Sequence, residues 1–226
     1  MRHLLALAHV STRDRIQLYV STILFQWALA LIVGWRAVAR GLSIDELGLT
    51  GGWTPAILLL SIGGTGLIGV AHWRNLRRMA RSNHPALERL RRLGARLFPR
   101  STSELMFYIV LALTAGICEE FIFRGFVIAA LFRAGLSTWA VVFCSSLMFG
   151  VAHLYQGKGG SAGTGILGIL FAMARITYHS LLPVVAWHAA LDVVAGIAGA
   201  RFFVPALADS GPGAEGDGRH PNENGS

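Results

Sequence analysis

The sequence predicts an all-α, polytopic membrane helical bundle of about six to eight membrane helices, with room among them for re-entrant or half helices. Three observations predict it. Hydrophobic residues make up 54% of the 226 and charged residues only 14%, against a charged share of ~25% in ordinary soluble domains. Several apolar windows reach or approach the ~20 residues a helix needs to cross the ~30 Å hydrocarbon layer. The cations, finally, are gathered between apolar spans: nine arginines fall between Arg74 and Arg100.

Residues 1–15 read as a cytoplasmic N-terminus carrying Arg2, Arg13 and Arg15. Residues 16–73 hold two N-terminal membrane helices. The first, about Ile16 to Val38, is too long for a cleaved signal peptide and lacks a small-residue cleavage site. Gly41 to Gly52, with Asp45 and Glu46, reads as a hairpin loop outside the cytoplasm, and the second span, about Trp53 to Trp73, returns the chain. Residues 74–100 form a basic cytoplasmic loop on the same face as the N-terminal arginines, as the positive-inside rule asks; Arg36 and Arg40 weaken that bias without reversing it. In this loop Leu87, Leu90, Leu93 and Leu97 recur at helical spacing with Arg89, Arg92 and Arg96 on other faces, the pattern of an amphipathic helix in the headgroup layer. A formal charge of +8 gathered there points to anionic lipid, at ~1 kcal/mol per arginine, and not to nucleic acid.

From Ser101 onward apolar segments follow closely: about Glu104 to Cys118, Phe121 to Phe132, Thr138 to Leu154, Gly163 to Tyr178 and Leu182 to Phe203. Those too short to cross alone either continue one another or turn back inside the protein, where irregular backbone is tolerated. Residues 204–226, rich in Gly, Pro, Asn and acids, read as a disordered tail. The glycines of Gly63-Gly64-Thr65-Gly66 and Gly163-Thr164-Gly165 lack the lysine and preceding strand of a phosphate loop, so close helix packing is their expected use. Cys118 and Cys144 lie in apolar surroundings and read as small buried hydrophobes.

Chemistry concentrates in three places. In Cys118-Glu119-Glu120-Phe121-Ile122-Phe123-Arg124, two carboxylates and a guanidinium sit in an apolar stretch, where each unpaired charge costs at least ~2.5 kcal/mol. At ~100° per residue Glu120 and Arg124 share a helical face and can pair, while Glu119 points elsewhere and stays free to act as a general base. Phe149-Gly150-Val151-Ala152-His153 puts an aromatic and a histidine on one face, a weak signal alone. Trp187-His188-Ala189-Ala190-Leu191-Asp192 is stronger, with a histidine and an acid one turn apart in apolar sequence. Together they suit water activation and carbonyl polarisation. His3, His9, His72, His84 and His220 read as solvated, and His179 beside Pro183 is a secondary candidate for lining the cavity.

These elements, in this order, resemble the CPBP family of intramembrane proteases, which includes CAAX prenyl proteases and bacteriocin-immunity (Abi-like) proteins. The matching residues are Glu119-Glu120-x-x-x-Arg124, followed by Phe149-x-x-x-His153 and His188-x-x-x-Asp192, over about 101–203, with a softer likeness at Asp45-Glu46-Leu47-Gly48-Leu49. The resemblance implies that Glu119 activates the attacking water, His153 helps position it, His188 and residue 192 support the oxyanion, and Glu120 with Arg124 orients the site. It implies an intramembrane endopeptidase that hydrolyses a peptide bond near the membrane surface, with a peptide or protein as substrate. The departure is Asp192, where most relatives thought to use an oxyanion-hole amide carry asparagine. An ionised aspartate cannot donate a hydrogen bond. Either Asp192 is neutral, or it orients His188, or it helps hold a metal.

If a metal such as zinc is present, Glu119, His153 and His188 are its ligands; the His-Glu-x-x-His helix of zincins is absent, and a peptidase without an obligatory cofactor is the preferred reading. The alternative is a non-catalytic immunity or chaperone-like membrane factor. A serine rhomboid lacks its Gly-x-Ser-x-Gly motif and a transporter its inverted repeat. Lys158 is the only lysine against many arginines, which suggests a GC-rich bacterial genome and a plasma-membrane location, a setting poor in prenylated CAAX proteins.

Overall fold

A computed structural model describes residues 10–51, 54–82, 94 and 96–203. Among them run six helices, α1 (Thr12–Ala39), α2 (Pro55–Ala80), α3 (Thr102–Arg133), α4 (Thr138–Ala152), α5 (Gly157–Tyr178) and α6 (Leu182–Phe202), with no strand among the described residues. Their starts are written locally. Ser11 and Asp14 form a capping box on α1, Thr54 caps α2 ahead of Pro55, and Ser101 caps α3; each cap satisfies amide groups that the first turn leaves without partners.

The bundle is apolar on the outside. Leu31, Leu59, Ile62, Leu67 and Trp139 are 70–74% exposed, whereas Arg15, Glu104, Glu120, Arg124, Arg175 and His188 are buried. In water such a distribution would cost both desolvated charge and hydrated hydrocarbon; in lipid it is the favourable one. Five of the helical stretches are long and apolar enough to span a bilayer. The chain is an integral membrane protein. α4 is the short one, 15 residues or about 22 Å at 1.5 Å per residue, and it stops inside the bundle at His153.

α3 is the central rod. It packs against α1 on one side and α6 on another, α6 also packs on α2, and α4 pairs with α5. α1 and α3 run parallel, because Arg15 meets Glu104, Gln26 meets Glu119 and Arg40 meets Arg133 in the same order along both. At one end Leu76, Ala198 and Phe203 cluster with Phe98. At the other, Leu42 and Leu47 pack on Ala37 and Ala129. There Arg133 grips the carboxylate of Glu46 at 2.7 and 2.8 Å together with the carbonyls of Arg40 and Gly41. That guanidinium holds the exposed Glu46 carboxyl down to about 2.

One boundary differs from the sequence expectation, and one alternative left open there is decided. The apolar segments on either side of Glu119-Glu120 continue one another: α3 runs through a π-helical stretch, Phe121–Val127, into Ile128–Arg133. The charges there are compensated inside the bundle, so they do not interrupt the helix. α5 begins at Gly157 instead of near Gly163, after a 3-10 turn at Leu154–Gln156 and a positive φ of 81° at Gly157. Of the glycine clusters, Gly64 is the closest approach, since a Cβ there would strike the Trp187 indole, and Gly165 lies against Gly150; nothing lies near Gly63, Gly66 or Gly163. Leu87, Leu90 and Leu93 of the expected amphipathic helix, and the tail from 204, lie outside the described residues.

Candidate active site

The last α-helical turn before the π-helical stretch of α3 carries both glutamates. Glu120 turns inward, fully buried, and its Oε1 accepts from Arg124 Nη1 at 3.0 Å and from His188 Nδ1 at 2.7 Å. Arg124, equally buried, also donates toward the Gly168 carbonyl at 3.4 Å, and its guanidinium lies 4.0 Å from the Phe149 ring centroid and 5.7 Å from that of Phe171. A carboxylate, a carbonyl and two aromatic faces are what keep a cation this deep. The predicted Glu120–Arg124 pair therefore forms, and α6 joins it through His188.

Glu119 turns the other way, toward the side where α1, α4 and α6 converge. Its Oε1 accepts from Gln26 Nε2 of α1 at 2.8 Å. Its Oε2 is buried and has no hydrogen-bond partner, 3.5 Å from His153 Nε2 and 4.0 Å from His188 Nε2. No arginine bonds Glu119, but one of its oxygens is held by an amide the sequence reading did not single out.

The two imidazoles are oriented by opposite means. His153 caps the C-terminus of α4, and its Nδ1 lies 2.8 Å from the Phe149 carbonyl, an acceptor, so Nδ1 carries hydrogen and Nε2 faces Glu119. His188 is fixed by the Glu120 carboxylate on Nδ1, which again turns Nε2 toward Glu119, and Asp192 Oδ2 stands 3.5 Å from that same nitrogen. Phe149 is the shared wall, 4.5 Å from His153 and 5.9 Å from His188 between ring centroids. The Phe-x-x-x-His spacing thus serves the site through the phenylalanine ring and carbonyl as well as the imidazole.

All six predicted residues, Glu119, Glu120, Arg124, His153, His188 and Asp192, come together. Asp192 is the most exposed of them, its side chain 39% open. His72 of α2, Tyr108 of α3 and Tyr155 lie within electrostatic reach of it. His72 is half-buried on α2 near Asp192 and not simply solvated. His179 is the exposed left-handed C-cap of α5 and contributes nothing to the cluster. Cys118 and Cys144 are free thiols, the first buried. Among the described residues no group of three or more His, Cys, Asp and Glu is arranged to hold a metal ion.

Residues 101–194 match the family described as type II CAAX prenyl endopeptidase, Rce1-like. This stretch of the chain is similar to the Rce1-like family. The Rce1-like segment takes in α3, α4, α5 and α6 as far as Val194, and so carries every member of the cluster except Gln26. The family is one of intramembrane CAAX-type proteases, which fits a polar cluster enclosed by membrane helices. No curated protein and no solved structure matches the chain.

Proposed function

We propose that the chain is an intramembrane endopeptidase that hydrolyses a peptide bond brought to the bundle from the membrane surface, with Glu119 as general base. One observation carries the reading: Glu119 Oε2 is a buried carboxylate oxygen without a partner, flanked by two imidazole Nε2 atoms at 3.5 and 4.0 Å. An orphaned acceptor costs free energy unless something uses it, and a water donating to it is the simplest user.

In this mechanism a water bridges Glu119 Oε2 and His153 Nε2. Glu119 takes one of its protons as the oxygen attacks the scissile carbonyl carbon, and the carbonyl becomes a tetrahedral oxyanion. His188, as an imidazolium, donates through Nδ1 to Glu120 and through Nε2 to that oxyanion. Glu119 then passes its proton to the amide nitrogen, the C–N bond breaks, and a carboxylic acid, which keeps the second hydrogen of the water, and an amine leave. Preorganised donors of this kind contribute roughly 2.7–4 kcal/mol each, and a positioned base contributes about 10²–10⁴-fold. Every proton moves between water, substrate and groups of the chain, so no obligatory cofactor enters. The proposed setting is a bacterial plasma membrane with the arginine-rich end in the cytoplasm, in contact with anionic lipid.

Comparative peptidomics of membranes carrying wild type or Glu119→Gln tests this. Products that appear with wild type and vanish with Glu119→Gln, at equal protein levels, are expected. Identical peptidomes would overturn the assignment of Glu119 as the base.

A further inference from the structure

Glu119 can do this work only if one particular oxygen faces the two histidines, and a free carboxylate on a rotatable side chain has no such preference. The group that selects the oxygen lies outside the Rce1-like segment. Gln26, halfway along α1, donates its amide to Glu119 Oε1 at 2.8 Å, and Oε2 is left beside His153 and His188. A carboxylate oxygen only accepts, so the amide nitrogen must be the end that faces it. That orientation leaves Gln26 Oε1 buried without a partner, a cost the bond to Glu119 has to offset.

Gln26 sits in a lipid-facing run. Its neighbours Leu24 and Phe25 are 65% and 66% exposed, yet the amide points the other way, into the bundle. Its depth is set by clamps at both ends of α1. Toward the start, Arg15 makes a two-pronged, buried bond to Glu104 at 2.8 and 3.0 Å, and Tyr19 donates to the Leu97 carbonyl at 2.6 Å. Toward the far end, Arg133 holds the carbonyls of Arg40 and Gly41. Between these ties α1 cannot slide along α3 without breaking buried pairs, so Gln26 stays level with Glu119.

We propose that Gln26 is a positioning residue of the peptidase, and that α1 is part of the catalytic unit because it presents this amide to Glu119. The proposal rests on Glu119 acting as the base. It does not require Gln26 to touch substrate.

The probe is a synthetic peptide containing a bond whose cleavage is slowed to a measurable residual rate by Glu119→Gln, presented to purified protein in liposomes. Gln26→Met keeps length and removes the donor. It is expected to lower kcat by about 10–100-fold, the usual effect of losing a group that orients a reacting residue, with KM and melting temperature unchanged. In the Glu119→Gln background the same substitution is expected to change the residual rate no further, because its effect passes through Glu119. Wild-type kcat in Gln26→Met, or an equal drop in both backgrounds, would overturn the proposal. The juxtaposition has a test independent of catalysis: Gln26→Cys with Glu119→Cys, in a Cys118→Ala and Cys144→Ala chain, is expected to be joined by a short bifunctional thiol reagent. No joining sinks the Gln26 proposal whatever the activity. Joining in the cysteine pair, together with equal cleavage by wild type and Glu119→Gln, would instead leave the geometry intact and retire Glu119 as the base, and the positioning role with it.

Discussion

Replacing Arg124 by methionine removes the guanidinium that bonds Glu120 in the core. Both side chains are fully buried, and their bond is 3.0 Å long. Removing one partner of such a pair leaves the other charge uncompensated and costs about 3–5 kcal/mol; loss of the contact with the Phe149 ring, 4.0 Å away, pushes toward the upper end, since a desolvated cation–aromatic contact contributes ~2 kcal/mol. Glu120 can escape part of the cost by taking a proton, but then its hold on His188 Nδ1 weakens and the imidazole loses its orientation. Arg124→Met should therefore lower both stability and activity. The double variant Glu120→Gln/Arg124→Met removes both charges while the glutamine oxygen still accepts from His188, so most of the stability should return. Thermal unfolding of the detergent-purified proteins, followed by reactivity of the buried Cys118 thiol, reads the difference. If Arg124→Met melts with wild type, or if the double variant melts no higher than the single, charge compensation is not what holds Glu120 at this depth.

Asp192→Asn should preserve cleavage, because an amide can still bond His188 or donate to the oxyanion, whereas Asp192→Leu should lose it; measured rates that fall equally would remove the polar role of this position. Glu46 gives a pH prediction with a definite sign. Its carboxyl is held at about 2, below the usual 4.5, so its contribution to anchoring the 40–51 loop is complete above 4.5 and is lost only as pH falls through about 2. In hydrogen exchange that loop should stay protected at pH 3 in wild type and open near pH 4.5 in Arg133→Gln, and opening of wild type near 4.5 would contradict the pairing. Prolonged chelation of divalent metals should leave cleavage unchanged; loss of cleavage restored by zinc would put a metal into the mechanism.

Much of the site was legible because lipid makes charge conspicuous. Glu119, Glu120, Arg124, His188 and Asp192 stand in apolar sequence where nothing but mutual compensation keeps them, and helical spacing alone paired Glu120 with Arg124 and His188 with Asp192. What spacing could not show is which groups on different helices meet. His188 bonds Glu120 and not only Asp192, and Phe149 serves two histidines and an arginine. Gln26 carried a signal, an amide inside an apolar span, but an uncharged residue is cheaper to place in lipid and so draws less notice than a glutamate. For the same reason the sequence reading left open whether the apolar segments on either side of the two glutamates continue one another, since spacing does not show what those charges face. A charged pair ends a membrane helix when it faces lipid; here both acids face protein, and the helix passes through them by way of a π-helical stretch.

The claim beneath all of this is that Glu119 is the group that takes the proton from the attacking water. It is tested most directly by the single-turnover rate at which Glu119→Gln, folded and reconstituted in liposomes, cleaves a peptide that wild type cleaves. The account predicts a fall of about 10²–10⁴-fold, the usual contribution of a positioned base, with peptide binding retained. Cleavage at the wild-type rate would contradict it.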